Sequence, residues 1–430
     1  MAYDVILDRD VTDGPQHLVE VDDIFFSVTD AKGIMTDVNE VFIYYAQYPL
    51  EEMIGKPHNL IRQDEMPGGA FKAMWDWIQA GKPFAAYVRN LAKSGSAYDV
   101  LATVTPLPGD RYLSVRTRPM THYFQDAAKV YQEANVVEHK AKAEGVGRRR
   151  RAELGWERIC ELIPDYDAFM AEILPAEVAA REEAGFVLPE GEGEVYEATA
   201  ALYAELESFM GIQTSIKQSA EELSRACQTL LEENAVTNRV KGEMENVVAE
   251  GAARTLLLAP LQVWATMRGI IDENAQSLAE VAEELQDRAA KARTAIALAR
   301  LHAAQTATFS AEEDRIESMR MLYDAMEVAL RDMDNAVFLH SSLANRVELK
   351  VNSISELTKM PLEMIRRWSQ SSAQQPVGQN IDPLVAQVEQ AIQAADASIA
   401  QLQLSSMDLG EDLSVDGVHD ALERLRRAVY

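Results

Sequence analysis

Between Pro57 and Trp75 the chain reads PHNLIRQDEMPGGAFKAMW, which sets His58, Arg62 and Trp75 close together among turn formers and apolar side chains. Pro67, with Gly68 and Gly69, breaks any preceding helix, because a proline drives the residue before it out of helical geometry. From Ala70 the pattern turns amphipathic, with Phe71, Met74, Trp75 and Ile78 at helical spacing. A short helix with an aromatic face, entered through a polar turn, is suited to line a small-ligand cavity. Periodicity alone reads Phe71 and Trp75 as core. The plain reading of Arg62 is a surface cation or a partner of Asp64 or Glu65, and that of His58 a turn residue capping a helix.

The elements that must position this stretch read as mixed α/β over residues 1 to about 120. Ile24 to Thr29 is strand-like, Asp30-Ala31-Lys32-Gly33 supplies a turn, and Ile34 to Val38 returns. Asn39 to Tyr45 and Leu50 to Gly55 suit short helices, the second ending on glycine. Beyond the central stretch, Phe84 to Leu91, Tyr98 to Pro106 and Tyr112 to Thr117 alternate as strands. Turns at Lys93-Ser94-Gly95-Ser96 and Pro108-Gly109-Asp110 join them as hairpins. The expectation is a five-stranded antiparallel sheet with the helices packed on one face.

The order of elements and the string PHNLIRQDEMPGGAFKAMW, followed by GKPF, VRN and KSG, resemble the PAS domain of bacterial aerotaxis receptors. The resemblance covers about residues 20 to 120, roughly a quarter of the chain. It implies a domain that binds flavin adenine dinucleotide (FAD) and reports its redox state as a proxy for oxygen or electron transport. Arg62, Trp75 and Asn90 stand where the family has residues implicated in holding the flavin, and Asn39 and His58 match further family positions. The chemistry is apt. Arg62 can neutralise a pyrophosphate or an anionic flavin, Trp75 offers a flat face for stacking, and Asn90 carries both donor and acceptor for a ring edge. The alternative cofactor is haem, since some related sensor domains ligate iron through a histidine near His58. The chain departs from the family pattern at Arg62-Gln63-Asp64-Glu65, where Arg-His-Pro-Asp is common, and at Tyr98-Asp99-Val100, where Tyr-Trp-Val is frequent.

After Pro119 the character changes. Phe124 to Glu144 reads as a charged helix leading out of the last strand, and residues 145 to 194 carry enough glycine and proline that only short helices are expected. Three long seams follow. One steps from Phe209 through Leu223 and Leu230 to Val247, with a polar middle at Glu233 and Thr237. An alanine-rich one runs from Ala275 to Ala303, and a third from Met319 to Val347 and on to Leu357. Pro260 is expected to separate the first two helices, and the Ser310–Glu313 capping box to open the third. A further helix is expected to begin at Pro361, Gln374 to Gln379 to form a linker, and two helices to close the chain. The expected segmentation is a sensor domain over 1–120, linker helices over 121–194, a bundle or coiled coil over 195–373, and C-terminal helices over 374–430. His340, on an apolar seam position, reads as a core histidine or a register device.

A chain of 430 residues should hold two or three domains. Its net charge of −28 argues against nucleic acid and anionic membrane as partners. The basic run Arg148 to Arg151 reads as a solvated helix face. Cys160 and Cys227 lack metal-ligand spacing and suit free thiols in a reducing compartment. The start has no signal-peptide pattern, and the most apolar window, Leu256 to Ile271, is too short and polar to span a bilayer. A cytoplasmic location follows as an expectation.

No ATP-binding glycine loop, P-loop, metal cluster or nucleophile–base pair stands out, so an enzyme is not expected. Aerotaxis receptors continue into a membrane anchor and a helical hairpin whose tip grips the chemotaxis kinase. Here Thr255-Leu256-Leu257-Leu258-Ala259-Pro260 offers only a fragment of that tip, and no anchor is found. The leading expectation is a cytoplasmic, homodimeric redox or oxygen sensor whose flavin controls a helical output toward a protein signalling partner, with one of the chemotaxis type as the candidate. A cofactor-free dimerisation module of a scaffold protein and a haem gas sensor through His58 are the alternatives.

Overall fold

The computed structural model describes residues 17–247, 252–310, 312–372, 382–410 and 413–430. The strands are β1 (Phe25–Thr29), β2 (Met35–Val38), β3 (Phe84–Leu91), β4 (Ala97–Leu107) and β5 (Arg111–Thr117). They form one antiparallel sheet in the order β2-β1-β5-β4-β3, as the alternating pattern implied. Between β2 and β3 lie helices α1 (Glu40–Ala46) and α2 (Leu50–Met53), a 3-10 turn (His58–Ile61) and α3 (Gly68–Gln79).

The pairing register sorts the side chains onto two faces. Asn90 stands opposite Tyr98, Val88 opposite Val100, Ala102 opposite Arg116 and Arg116 opposite Phe25, all on the face toward α1 to α3. Phe25, Val38, Phe42, Tyr45, Met53, Ile61, Tyr98 and Val100 fill one core cluster there. The opposite face carries Phe26, Val28, Tyr87, Leu101, Leu113 and Val115, and it too is buried. Helices α4 (Tyr123–Ala143), α5 (Arg148–Leu162) and α6 (Tyr166–Glu183) follow. Tyr87 of β3 meets Phe124 of α4 and donates to Glu177 of α6, while Phe26 meets Phe309 edge-on.

The chain divides into two compact units. The first joins residues 1–210, 293–333 and 415–430, so parts of the long helices α7 (Glu194–Val247), α8 (Ala252–Phe309) and α9 (Ile316–Ser372), with α11 (Asp416–Val429), belong with the sheet. The second unit, residues 211–292 and 334–414, is helical, with α10 (Asp382–Leu409) completing it. Its core is built from the expected seams, including Leu223, Leu230, Leu278, Leu285, Leu343 and Val347. His340 is buried there with Nε2 3.0 Å from the Leu409 carbonyl.

Several local expectations give way. α8 runs through Pro260 and α9 through Pro361. A proline removes one ladder donor, and a helix held by its neighbours along its length absorbs that loss. Ser310 does not open α9: its hydroxyl donates back to Ala307, and a 3-10 turn over Glu313–Arg315 intervenes. The polar middle of the first seam is Asn234, fully buried and donating to Asp272, while Glu233 beside it is only partly covered. α6 spans eighteen residues with Pro175 inside it, longer than the glycine and proline content suggested. Gln374 to Gln379 lies outside the described residues, as do the side chains of Thr237 and Val247.

Candidate functional site

α3 begins on Pro67-Gly68-Gly69 without a local cap. Its first amides are satisfied from α4: Glu138 accepts from Gly68 N–H at 3.0 Å and from Gly69 N–H at 2.8 Å. A carboxylate at a helix N-terminus satisfies orphan donors and complements the dipole. Glycine is required at 69 because α5 crosses there, and a Cβ would overlap the Gly155–Trp156 backbone. So anchored, α3 presents Phe71, Met74 and Trp75 toward the sheet, where Val88 and Val104 face them. All five side chains are only partly buried. They belong to the inner sheet face and to the helix that covers it, packed against one core cluster but short of full burial.

The polar groups on this face come from β3, β4, β5 and the turn before α3. Asn90, 2% exposed, leaves Nδ2 without a hydrogen bond, and the Tyr98 hydroxyl opposite is likewise unpaired. Leaving a buried donor unsatisfied costs about 1–3 kcal/mol, so such an atom is an observation that needs a partner. Arg62 pairs with Asn90 through a backbone bridge. Its guanidinium donates to Met66 O at 2.6 Å and lies 3.8 Å over the Phe71 ring. Burial lowers its pKa to about 10 despite the pull of Glu138. Neither Asp64 nor Glu65 forms an ion pair with it among the described residues.

Trp75 packs edge-on against Tyr112 at 5.6 Å, and its indole lies against the β1–β2 turn at Gly33. Gly33 has a φ of +75°, and a Cβ there would come within 3.0 Å of the ring, so the turn and the indole are fitted to each other. His58 is held by its N–H to Gly33 O at 2.9 Å, with its ring 5.9 Å from Phe42. Its Nε2 lies 2.6 Å from Arg116 Nη2. A guanidinium only donates, so Nε2 must be the acceptor and the proton sits on Nδ1. Burial, with the Arg116 charge behind it, holds this imidazole well below its ordinary pKa.

Asn39 is placed differently. It caps α1, with Oδ1 accepting from Phe42 N and Phe26 N and Nδ2 donating to Ile24 O at 2.7 Å. Its amide is engaged with the backbone and fastens α1 to β1. The structure thus gathers Arg62, Asn90, Trp75 and His58 around one side of the sheet and gives Asn39 a framework role there. Sequence reasoning missed Arg116 and Tyr98. Both fall on the inward phase of alternating strands, which is the signal that could have found them.

Among the described residues no group of three His, Cys, Asp or Glu side chains could hold a metal ion, and no helix is long and apolar enough to cross a membrane. No family model matches the chain. The aerotaxis receptor of Escherichia coli (strain K12) is 32% identical over 119 residues, which is 27% of this chain and 24% of that protein. The nitrogen fixation regulatory protein of Klebsiella pneumoniae is 26% identical over 90 residues, 21% of this chain and 18% of that protein. The chain therefore spans about a quarter of these relatives' length or less. Among solved structures, the blue-light photoreceptor Aureochrome1 LOV domain has 18% identity and a TM-score of 0.23, covering 24% of this chain and 88% of that one. A Rhodobacter sphaeroides LOV protein has 15% identity and a TM-score of 0.23, covering 37% and 93%.

Proposed function

We propose that the N-terminal PAS domain, which is of the aerotaxis-receptor type, holds a flavin and works as a redox or oxygen sensor. The observation that carries this reading is the unpaired Asn90 Nδ2, buried on the inner sheet face beside the Arg62 backbone, on the side where Phe71, Met74 and Trp75 of α3 are only partly buried. A planar heteroaromatic ligand would give that donor an acceptor and those apolar faces a neighbour. Its bound ring would supply an electron acceptor whose charge changes on reduction. The chain's residues do the rest: Trp75 and Phe71 exclude water, Asn90 orients a ring edge, and Arg62 neutralises an anionic part of the ligand. FAD is the form we favour.

A haem site at His58 is less well supported, because the Nε2 lone pair that would meet iron already accepts from Arg116. A cofactor-free dimerisation module is less well supported too, since the chain's own helices cover the outer sheet face on which such a module would pair.

The output path we infer lies within the first unit. β3 carries Asn90 on its inner face and Tyr87 on its outer face. The Tyr87 hydroxyl donates to Glu177 Oε1 at 2.6 Å. The same carboxylate accepts from Met120 N, Thr121 N and the Thr121 hydroxyl, at the exit from β5 into α4. A shift of β3 would therefore reach α4 and α6 through one group. We read the chain as a cytoplasmic, homodimeric transducer with no enzymatic step, acting on a protein partner of the chemotaxis type. An absorption spectrum of the full chain, freshly purified, tests the reading. Flavin bands that bleach with dithionite are expected; a colourless protein that takes up no added flavin, or one with a Soret band, would sink it.

A further inference from the structure

Arg116 on β5 is 4% exposed, yet no carboxylate lies within ion-pair distance among the described residues. Its recorded partners are neutral: the Ser27 hydroxyl at 3.1 Å, the His58 ring nitrogen at 2.6 Å, and the Phe42 ring face at 4.9 Å. Other covered guanidiniums of the first unit are paired differently. Arg89 forks onto Asp99 at 2.8 and 2.9 Å, and Arg300 meets Glu182 at 2.7 Å. Arg181, also without an ion pair among the described residues, donates to two backbone carbonyls, those of Val21 and Asp22, whereas Arg116 donates to none among the described residues. In a chain with 69 acidic residues, a buried cation without one is not explained by supply. Taking a guanidinium out of water without a counter-ion costs several kcal/mol.

The inner sheet face tells what it awaits. Arg116 stands on the same face as the unpaired Tyr98 hydroxyl and the unpaired Asn90 amide. Arg62, the other guanidinium of this side, has no ion pair among the described residues either, donating to a carbonyl. Two cations, an amide donor and a phenol stand on this side of the sheet, and neither guanidinium forms an ion pair with an acidic group among the described residues. His58, held in its neutral form, buttresses Arg116 without adding a second charge.

We propose that Arg116 is the counter-charge for an anionic group of the ligand held on the inner face of the sheet. This deepens the flavin reading and rests on it. The anion has two possible sources on such a ligand. One is its phosphate. The other is the ring itself: uptake of two electrons from an added reductant and one proton from water leaves one negative charge on it, and a second proton from water cancels that charge.

The test uses the full chain and its Arg116→Gln variant, titrated with FAD, FMN and riboflavin, with dithionite titrations of each complex. A loss of about tenfold in affinity for FAD and FMN, with riboflavin unaffected, assigns Arg116 to phosphate. Weakened binding of the reduced over the oxidised form in all three assigns it to the ring. A tenfold effect of that kind appears as a fall of about 30 mV in the two-electron midpoint. Arg116→Lys, which keeps the charge, is expected to stay within about threefold of the parent chain.

If Arg116→Gln does not fold, Arg116→Met replaces it, since an apolar side chain of similar volume often substitutes for a buried charge without loss of stability. Flavin bound normally, with affinities and midpoint unchanged in the charge-free variant, overturns the proposal and leaves the flavin reading standing. So does a Lys variant as poor as the Gln variant. A parent chain that binds none of the three flavins overturns the flavin reading itself, and this proposal with it.

Discussion

Asn90 differs from Asn39 in what its amide has left to give. Asn39 has committed both ends to the backbone of β1 and α1. Asn90 keeps an unpaired donor within the fold. Asn90→Ala is therefore expected to lower flavin affinity by about tenfold, the worth of one hydrogen bond, with little change in the melting temperature of the ligand-free chain. Asn39→Ala is expected to do the reverse, costing about 1–2 kcal/mol by loss of a cap, as read by denaturant unfolding. Three histidines set a pH dependence. His58, His302 and His340 are each lowered by burial, His302 to about 3. Below about pH 6.5 the unfolded chain takes up protons that the folded chain refuses. Stability is thus full above that pH and falls as pH drops through it, by up to about 1.4 kcal/mol per pH unit for each histidine. Urea midpoints between pH 7.5 and 5 check this, and His302→Leu should make the slope shallower.

α3 is set by its neighbours as much as by its own sequence. The glycines read as a break are its first turn, because Glu138 from α4 supplies the cap and α5 passes too close for any side chain at 69. Gly69→Ala should destabilise the first unit by about 1–3 kcal/mol, the usual cost of overpacking, and shift the emission of Trp156 and Trp77. α6 holds the counterpart on the outer sheet face. Glu177 is 2% exposed and accepts from four donors on β3 and the β5–α4 connection. Glu177→Gln keeps the shape but turns one acceptor into a donor that faces donors, at a cost of about 1–3 kcal/mol. Amide exchange at the start of α4 should then become insensitive to reduction of the bound flavin, whereas in the parent chain it should respond. An unchanged response would show that the signal leaves by another route.

At the scale of the molecule, the sheet shares a compact unit with segments far along the chain. Asp37 on β2 pairs with Arg315 at 3.2 Å and accepts from the Ser318 hydroxyl at 2.8 Å, while Phe309 covers Phe26. The β2 edge is thereby tied to the first turn of α9. Asp37→Ala removes both polar ties, and since the pair is partly solvated the loss should be about 1 kcal/mol. Exchange of the amides over residues 316–320 should accelerate severalfold, with β3 to β5 unaffected.

Five strands, the intervening short helices and three long seams were legible in the sequence because each is a repeat of period two or about three and a half, and such a repeat is a local property. Phe71 and Trp75 could be placed on one helix face for the same reason. Tertiary structure alone decided which inward polar groups are satisfied. Asn39 finds backbone within reach, Asn90 does not, and Arg116 meets a histidine fifty-eight positions away instead of an acid. Satisfaction of a hydrogen bond or a charge depends on which distant atoms arrive within about 3 Å, and no local repeat encodes that distance.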